Sequence, residues 1–172
     1  MADALATITR RTEFGMITIR ADLGRAGDAI AEAAGLAIPR MAGITTDGSR
    51  SLGWMSPDEL LLILPASDTT EAVAALEQAL IGEHALVADV SDARAMFDIT
   101  GPDAGDVIAK LCPADPAALP KDGLRRTRAA QISAAFWHIH DGFRLVGFRS
   151  TADYLDQILH NAATPGSQLA PR

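Results

Sequence analysis

One cysteine, one tyrosine and two tryptophans in 172 residues leave the sequence with 5% aromatics and no way to form an internal disulfide. The solitary Cys112 fits a reducing cytoplasm, and the shortage of rings leaves little bulk for an aromatic ligand cage. Nowhere does the chain approach the roughly 18 uncharged apolar residues of a membrane-spanning helix. Its first stretch, MADALATITRRTEF, places Asp3, Arg10 and Arg11 where a signal peptide stays apolar, which argues against export. Cations are scarce too. Fifteen Lys and Arg against 22 Asp and Glu give a net charge of −7, a poor balance for gripping a nucleic-acid backbone.

What remains is an ordinary globular composition, 48% hydrophobic and rich in alanine. A chain of this length buries about 70% of its unfolded surface, so the expectation is one α+β domain over residues 1–162 with a flexible tail over 163–172. FGMITIR (Phe14 to Arg20) alternates as a strand, and GRAGDAIAEAAG follows as a small-residue helix closed by Gly35. Asp47-Gly48 marks a tight turn between two extended segments, and Ser56-Pro57-Asp58 turns into ELLLILP, a nearly continuous apolar run that reads as a central buried strand. Ser67 or Asp68 can cap a helix whose Ala72, Val73, Leu76, Ala79 and Leu80 share a face. HALVADVS and RAMFDIT read as strands, with Ser91 and Asp92 in the turn between them, and PADPAALPKDG (Pro113 to Gly123) reads as a loop. AAFWHIHDGFRLVGFR is a hairpin around Asp141-Gly142, expected as a type I′ turn that pairs His140 with Phe143 and His138 with Leu145. Ser150 and Asp153 have the spacing of a capping box for a last helix carrying Tyr154, Leu155, Ile158 and Leu159 on one face. Helices follow strands, with paired strands between them, which predicts mostly antiparallel sheet rather than a parallel Rossmann array.

Residues 97–113, FDITGPDAGDVIAKLCP, pose the one question about chemistry that the order of elements raises. A phosphate loop needs converging backbone N–H groups and usually a lysine behind them, as in G-x-x-x-x-G-K-[ST]. ITGPDAGD has neither the lysine nor the spacing, and Asp103 and Asp106 would repel a phosphate at the helix start. Thr100 or Gly101 as cap, Pro102 at the first helical position, and Ala104, Val107, Ile108 and Leu111 on one face make the stretch architectural.

His138 and His140, two apart on a strand, share a face and could both hold a metal, but neither Cys112 nor His84 lies at a recognised ligand spacing. Arg125, Arg126, Arg128, Arg144 and Arg149 could clamp a carboxylate-bearing ligand, or simply sit on solvated strand faces beside acidic neighbours. Cys112 near a helix C-terminus lacks the positive field that activates a thiol and reads as a small buried hydrophobe. No G-x-S-x-G or H-E-x-x-H occurs. The residues alone therefore assign no catalytic, cofactor-binding or metal-ligating position. On the residues alone, a metal-dependent hydrolase using His138 and His140 is the one catalytic reading left to weigh against a chain without chemistry of its own.

Three longer runs narrow this: WMSPDELLLILP from Trp54 to Pro65, RAMFDITGPDAGDVIAKLCPAD from Arg94 to Asp115, and the run from Arg126 to Leu159 that holds RTR, DGFRL, RS and YL. In order and spacing they resemble the gamma subunits of heterotetrameric sarcosine oxidase, over about Arg10 to Leu159, with departures at Met55-Ser56 and Leu60. The resemblance implies a fold related to the folate-binding part of the glycine cleavage T-protein, and that fold, with the arginines of the C-terminal third, gives the alternative to a non-catalytic subunit: a stand-alone folate-binding one-carbon transferase or sensor. It also implies an assembly with alpha, beta and delta chains that oxidatively demethylates sarcosine to glycine, yielding formaldehyde or 5,10-methylenetetrahydrofolate and hydrogen peroxide. FAD, FMN, NAD, tetrahydrofolate and zinc would belong to the partner chains, and none to this one.

Overall fold

In the computed structural model, which describes residues 4–169, the chain forms ten strands and four α-helices in an α+β arrangement whose strand pairs are all antiparallel. Contacts divide it into two units where the sequence reads as one domain. Glu13–Asp92 forms an inserted unit, and Met1–Thr12 with Ala93–Arg172 forms a flanking unit that closes around it in sequence. The physical reason is that HALVADVS and RAMFDIT, adjacent along the chain, join different sheets.

The inserted unit has a five-stranded sheet built from β2 (Phe14–Arg20), β3 (Ile44–Asp47), β4 (Arg50–Ser56), β5 (Glu59–Pro65) and β6 (Leu86–Asp89), in the order β3-β4-β5-β2-β6. ELLLILP is central, as its composition demands: Leu60, Leu62 and Leu64 enter the core with Ile17 and Ile19, and Leu61 and Ile63 on the other face are buried too. Two helices cover the first face. α1 (Leu23–Ala34) starts on Asp22, whose side chain accepts from Gly24 N, and ends on the left-handed Gly35 at φ 68°. It buries Ala26, Ile30 and Ala34, while α2 (Thr69–Ala79) buries Ala72 and Leu76. Asp68 precedes α2 without a capping side-chain bond, because its carboxylate is taken by Ser67 and Arg50.

The flanking unit holds the second sheet, β1-β7-β10-β9-β8, formed by β1 (Thr7–Arg11), β7 (Arg94–Thr100), β8 (Leu124–Ala129), β9 (Ile132–Ile139) and β10 (Gly142–Phe148). α3 (Ala104–Leu111) and α4 (Ala152–Ala162) pack on it, burying Val107, Ile108, Leu155 and Leu159 against Phe97, Phe136 and Leu145. Complete burial of Phe97 and Phe136 contributes about 2 kcal/mol each. The described part of the expected tail is tied down: Leu5 N donates to Ala163 O, and Lys110 Nζ donates to Ala162 O and Ser167 Oγ. Residues 170–172 lie outside the described residues.

Four local expectations are corrected. The β9–β10 hairpin turns at His140-Asp141, so Phe143 pairs with His138 and Leu145 with Phe136, a register two residues from the expected one. Gly142 is then the first residue of β10 and lies so close to β7 that an added Cβ would stand 2.1 Å from Ile99 O. No capping box opens α4. A 3-10 turn over Arg149–Thr151 precedes it, Thr151 Oγ1 donates to Phe148 O, and Asp153 pairs with Arg10 at 3.0 Å. Tyr154 stays outside, so the buried face of α4 runs Ala152, Leu155, Leu159, Ala162. Pro102 falls in the turn before α3, with Asp103 as the residue preceding the helix.

Candidate functional site

The glycine turn of residues 100–104 is internally satisfied. Gly101, at φ 127°, donates its N–H to Asp141 O at 2.9 Å, and Ala104 N donates back to Gly101 O. Asp106, in the first turn of α3, accepts from Leu169 N at 3.0 Å. The Gly101 and Ala104 N–H groups and the Asp106 carboxylate at this helix start thus close on the protein's own groups, the arrangement expected of a structural turn.

The histidines separate rather than converge. His138 is half-buried, with Nε2 3.0 Å from Leu119 O and its ring 4.6 Å from that of Phe143. His140 sits exposed in the turn, its Nδ1 2.7 Å from Asp141 Oδ1. His84 lies in the inserted unit, exposed between α2 and β6. Among the described residues no group of three His, Cys, Asp or Glu side chains is placed to hold a metal ion. Cys112 is 4% exposed at the end of α3, and burial pushes its thiol up to about 12, so it stays protonated and unreactive at neutral pH.

Of the five arginines singled out by sequence, only Arg144 joins a buried cluster. Its Nε and Nη2 grip both oxygens of Asp98, at 2.6 and 2.8 Å, from the neighbouring strand, and Arg11 of β1 bonds the same carboxylate from the other side. Asp98 is 4% exposed, and Arg144 stands directly opposite it in the register. Three guanidinium N–H groups converge on this carboxylate, so the triad ties β1, β7 and β10 together. Sequence reasoning passed over Asp98 and Arg11; the available signal was a carboxylate inside the apolar run AMFDIT, which cannot be buried without a cation. Arg125, Arg126 and Arg128 lie exposed on β8, and Arg149 is exposed after β10.

Two clefts are open to solvent. One, about 1000 Å³, lies beside the start of α1, where Arg20 pairs with Asp58 at 2.7 Å and Arg25 with Glu83 at 3.2 Å. The Ser56 hydroxyl and Arg20 hold the Asp58 carboxyl below its usual range, and Asp58 in turn raises Arg20. The other, about 850 Å³, is lined by Asp106, Cys112, His138, Phe143 and Leu169. In the first, Arg20, Arg25, Asp58 and Glu83 pair within the chain, and in the second Asp106 and His138 meet Leu169 N and Leu119 O.

The family model described as "Sarcosine oxidase, gamma subunit family" matches residues 20–165. The chain belongs to this family. The sarcosine oxidase subunit gamma of Corynebacterium sp. (strain P-1) is 35% identical over 127 residues, covering 70% of this chain and 61% of that protein. The subunit gamma of an Arthrobacter species is 33% identical over 138 residues, covering 77% of this chain and 67% of its own length. The chain thus spans about two thirds of these curated gamma subunits. Among solved structures, the heterotetrameric sarcosine oxidase from Corynebacterium sp. U-96 in complex with pyrrole 2-carboxylate superposes with a TM-score of 0.86 at 26% identity, over 97% of this chain and 88% of that one. The glycine cleavage system aminomethyltransferase T from Bartonella henselae, at 18% identity and a TM-score of 0.61 over 92% of this chain and 46% of that one, shares the fold. A gamma subunit with the aminomethyltransferase fold accounts for both layers of antiparallel sheet and helix.

Proposed function

We propose that this chain is a non-catalytic gamma subunit of a heterotetrameric sarcosine oxidase. Its role is to pack against larger alpha and beta chains and a delta chain, and to hold their geometry while they oxidatively demethylate sarcosine to glycine. The products are formaldehyde or 5,10-methylenetetrahydrofolate, with hydrogen peroxide. FAD, FMN, NAD, tetrahydrofolate and zinc belong to the partners, and the complex works in the cytoplasm. The carrying observation is the 0.86 TM-score match to a chain of such a heterotetramer across 97% of this chain. Engagement of the potentially reactive groups supports the non-catalytic role: Asp98 is held by Arg144 and Arg11, His138 meets Leu119 O, and the Cys112 thiol is protonated. Among the described residues no helix is long and apolar enough to cross a membrane, which is compatible with the cytoplasmic assignment.

Co-expression of the tagged chain with the three partner subunits tests the reading. The expected result is a co-purifying complex that is yellow and oxidises sarcosine, and a colourless, inactive chain when expressed alone. Sarcosine turnover or bound flavin in the isolated chain, or failure to co-purify with any partner, would refute it.

A further inference from the structure

β8 ends its sheet and leaves one side of its backbone without a strand partner. Its sequence, LRRTRA, places Arg125, Arg126 and Arg128 in four consecutive positions, all exposed, in a chain whose net charge is −7. No acidic residue lies on β8 or on its neighbour β9, and the residues opposite the arginines are Phe136, Ala135 and Ser133. Among the described residues the guanidinium groups of Arg125 and Arg128 make no ion pair or hydrogen bond. The other edges differ. β1 carries Arg10 and Arg11, but these are engaged with Asp153 and Asp98, and β3 and β6 are only four residues long and end in Asp47 and Asp89. β8 is six residues long, about 20 Å, with unbroken register, no proline and no bulge. A charged edge can serve simply to repel other strands. Blunting, however, is achieved on the other edges by shortness or by cations tied to carboxylates, whereas β8 is long, regular and of one sign.

We propose that β8 is a docking edge that adds an extended acidic segment of another polypeptide as a sixth strand. Main-chain hydrogen bonds supply the pairing, and carboxylates supply the selectivity. Because successive strand residues alternate faces, Arg125 and Arg128 project to opposite faces of the sheet. The incoming strand therefore needs acidic residues three positions apart, one for each face. This goes beyond the assembly proposed above and does not depend on it, since any polypeptide with that spacing qualifies.

The probe is a labelled peptide, TVETTEVT, titrated into the full chain at about 50 mM salt and followed by fluorescence anisotropy. Binding is expected, accompanied by slowed amide exchange within Leu124–Ala129. It should weaken by about tenfold or more in the Arg125→Glu/Arg128→Glu variant, which should gain affinity for TVKTTKVT instead. A version of the acidic peptide with alternate backbone nitrogens methylated keeps its charge but cannot pair as a strand, and should bind at least about tenfold less tightly. Both arginines are exposed, so the variant is expected to retain the parent's thermal midpoint; Arg125→Gln/Arg128→Gln serves as a milder second variant with an intermediate loss. Undetectable binding, equal binding of the methylated peptide, or charge reversal without effect would each overturn the proposal.

Discussion

Among single residues, Asp98 carries the greatest electrostatic consequence. It is almost fully buried and its charge is neutralised by Arg144, 14% exposed, and Arg11, 29% exposed. Asp98→Ala leaves two guanidinium groups facing a desolvated gap, and we expect a loss of about 3 kcal/mol in urea-unfolding stability. Arg144→Lys is also expected to destabilise, because a lysine cannot reproduce the two-pronged grip. Cys112 gives a pH signature. Its native value is raised from 9.0 to about 12, so the folded state holds a proton that the unfolded chain releases. The associated stability is fully present below pH 9 and is lost progressively as pH rises toward 12. Unfolding curves of the parent should therefore shift down across that alkaline window more steeply than those of Cys112→Ala, and iodoacetamide should label the thiol at pH 8 only once the protein is denatured.

At the scale of strands and helices, two close approaches set the geometry. Gly15 of β2 lies against the first residue of α2: a Cβ there would stand 1.8 Å from Thr69 Oγ1, a buried hydroxyl without a hydrogen-bond partner among the described residues. Gly15→Ala is expected to cost about 1–3 kcal/mol, with Thr69→Ala recovering most of the loss in the double variant. A thermal-denaturation cycle reads the coupling. Gly142→Ala has no such remedy, since its Cβ meets the backbone carbonyl of Ile99, and a loss larger than that for Gly15→Ala is expected. These contacts also show what was legible in the sequence. ELLLILP announced a central strand because a run without alternation must be buried on both faces, and Gly35 announced a helix end because few other residues tolerate its left-handed backbone. The His140-Asp141 turn was missed because Asp141-Gly142 is a strong hairpin signal, whereas the glycine is needed here for its proximity to β7, a non-local cause. β8 was hidden because RRTR has no apolar alternation, as suits an edge strand. The triad of Asp98, Arg144 and Arg11 joins residues up to 133 positions apart, and only the sheet order brings them together.

Over the whole molecule, charge sets the partners that are excluded. With a net charge of −7 and a pI near 4.9, the arginine row on β8 is a local exception on an acidic body. Duplex DNA presents phosphates at high density but no edge for strand pairing, so no gel shift is expected at physiological salt, even where the acidic peptide binds. The likeness to the aminomethyltransferase extends to the fold alone, at 18% identity over 46% of that chain.

The insertion of Glu13–Asp92 into the flanking unit bears on how the protein is made. During synthesis Thr7–Arg11 leaves the ribosome well before its sheet neighbour, which begins only at Arg94, and before Asp153, which anchors Arg10. The inserted unit has a complete strand set before either arrives and can mature early, while β1 waits unpaired until β7 follows. That delay is a vulnerable interval, in which a holdase or a slow stretch of codons near the start of β7 would have the most to contribute to yield.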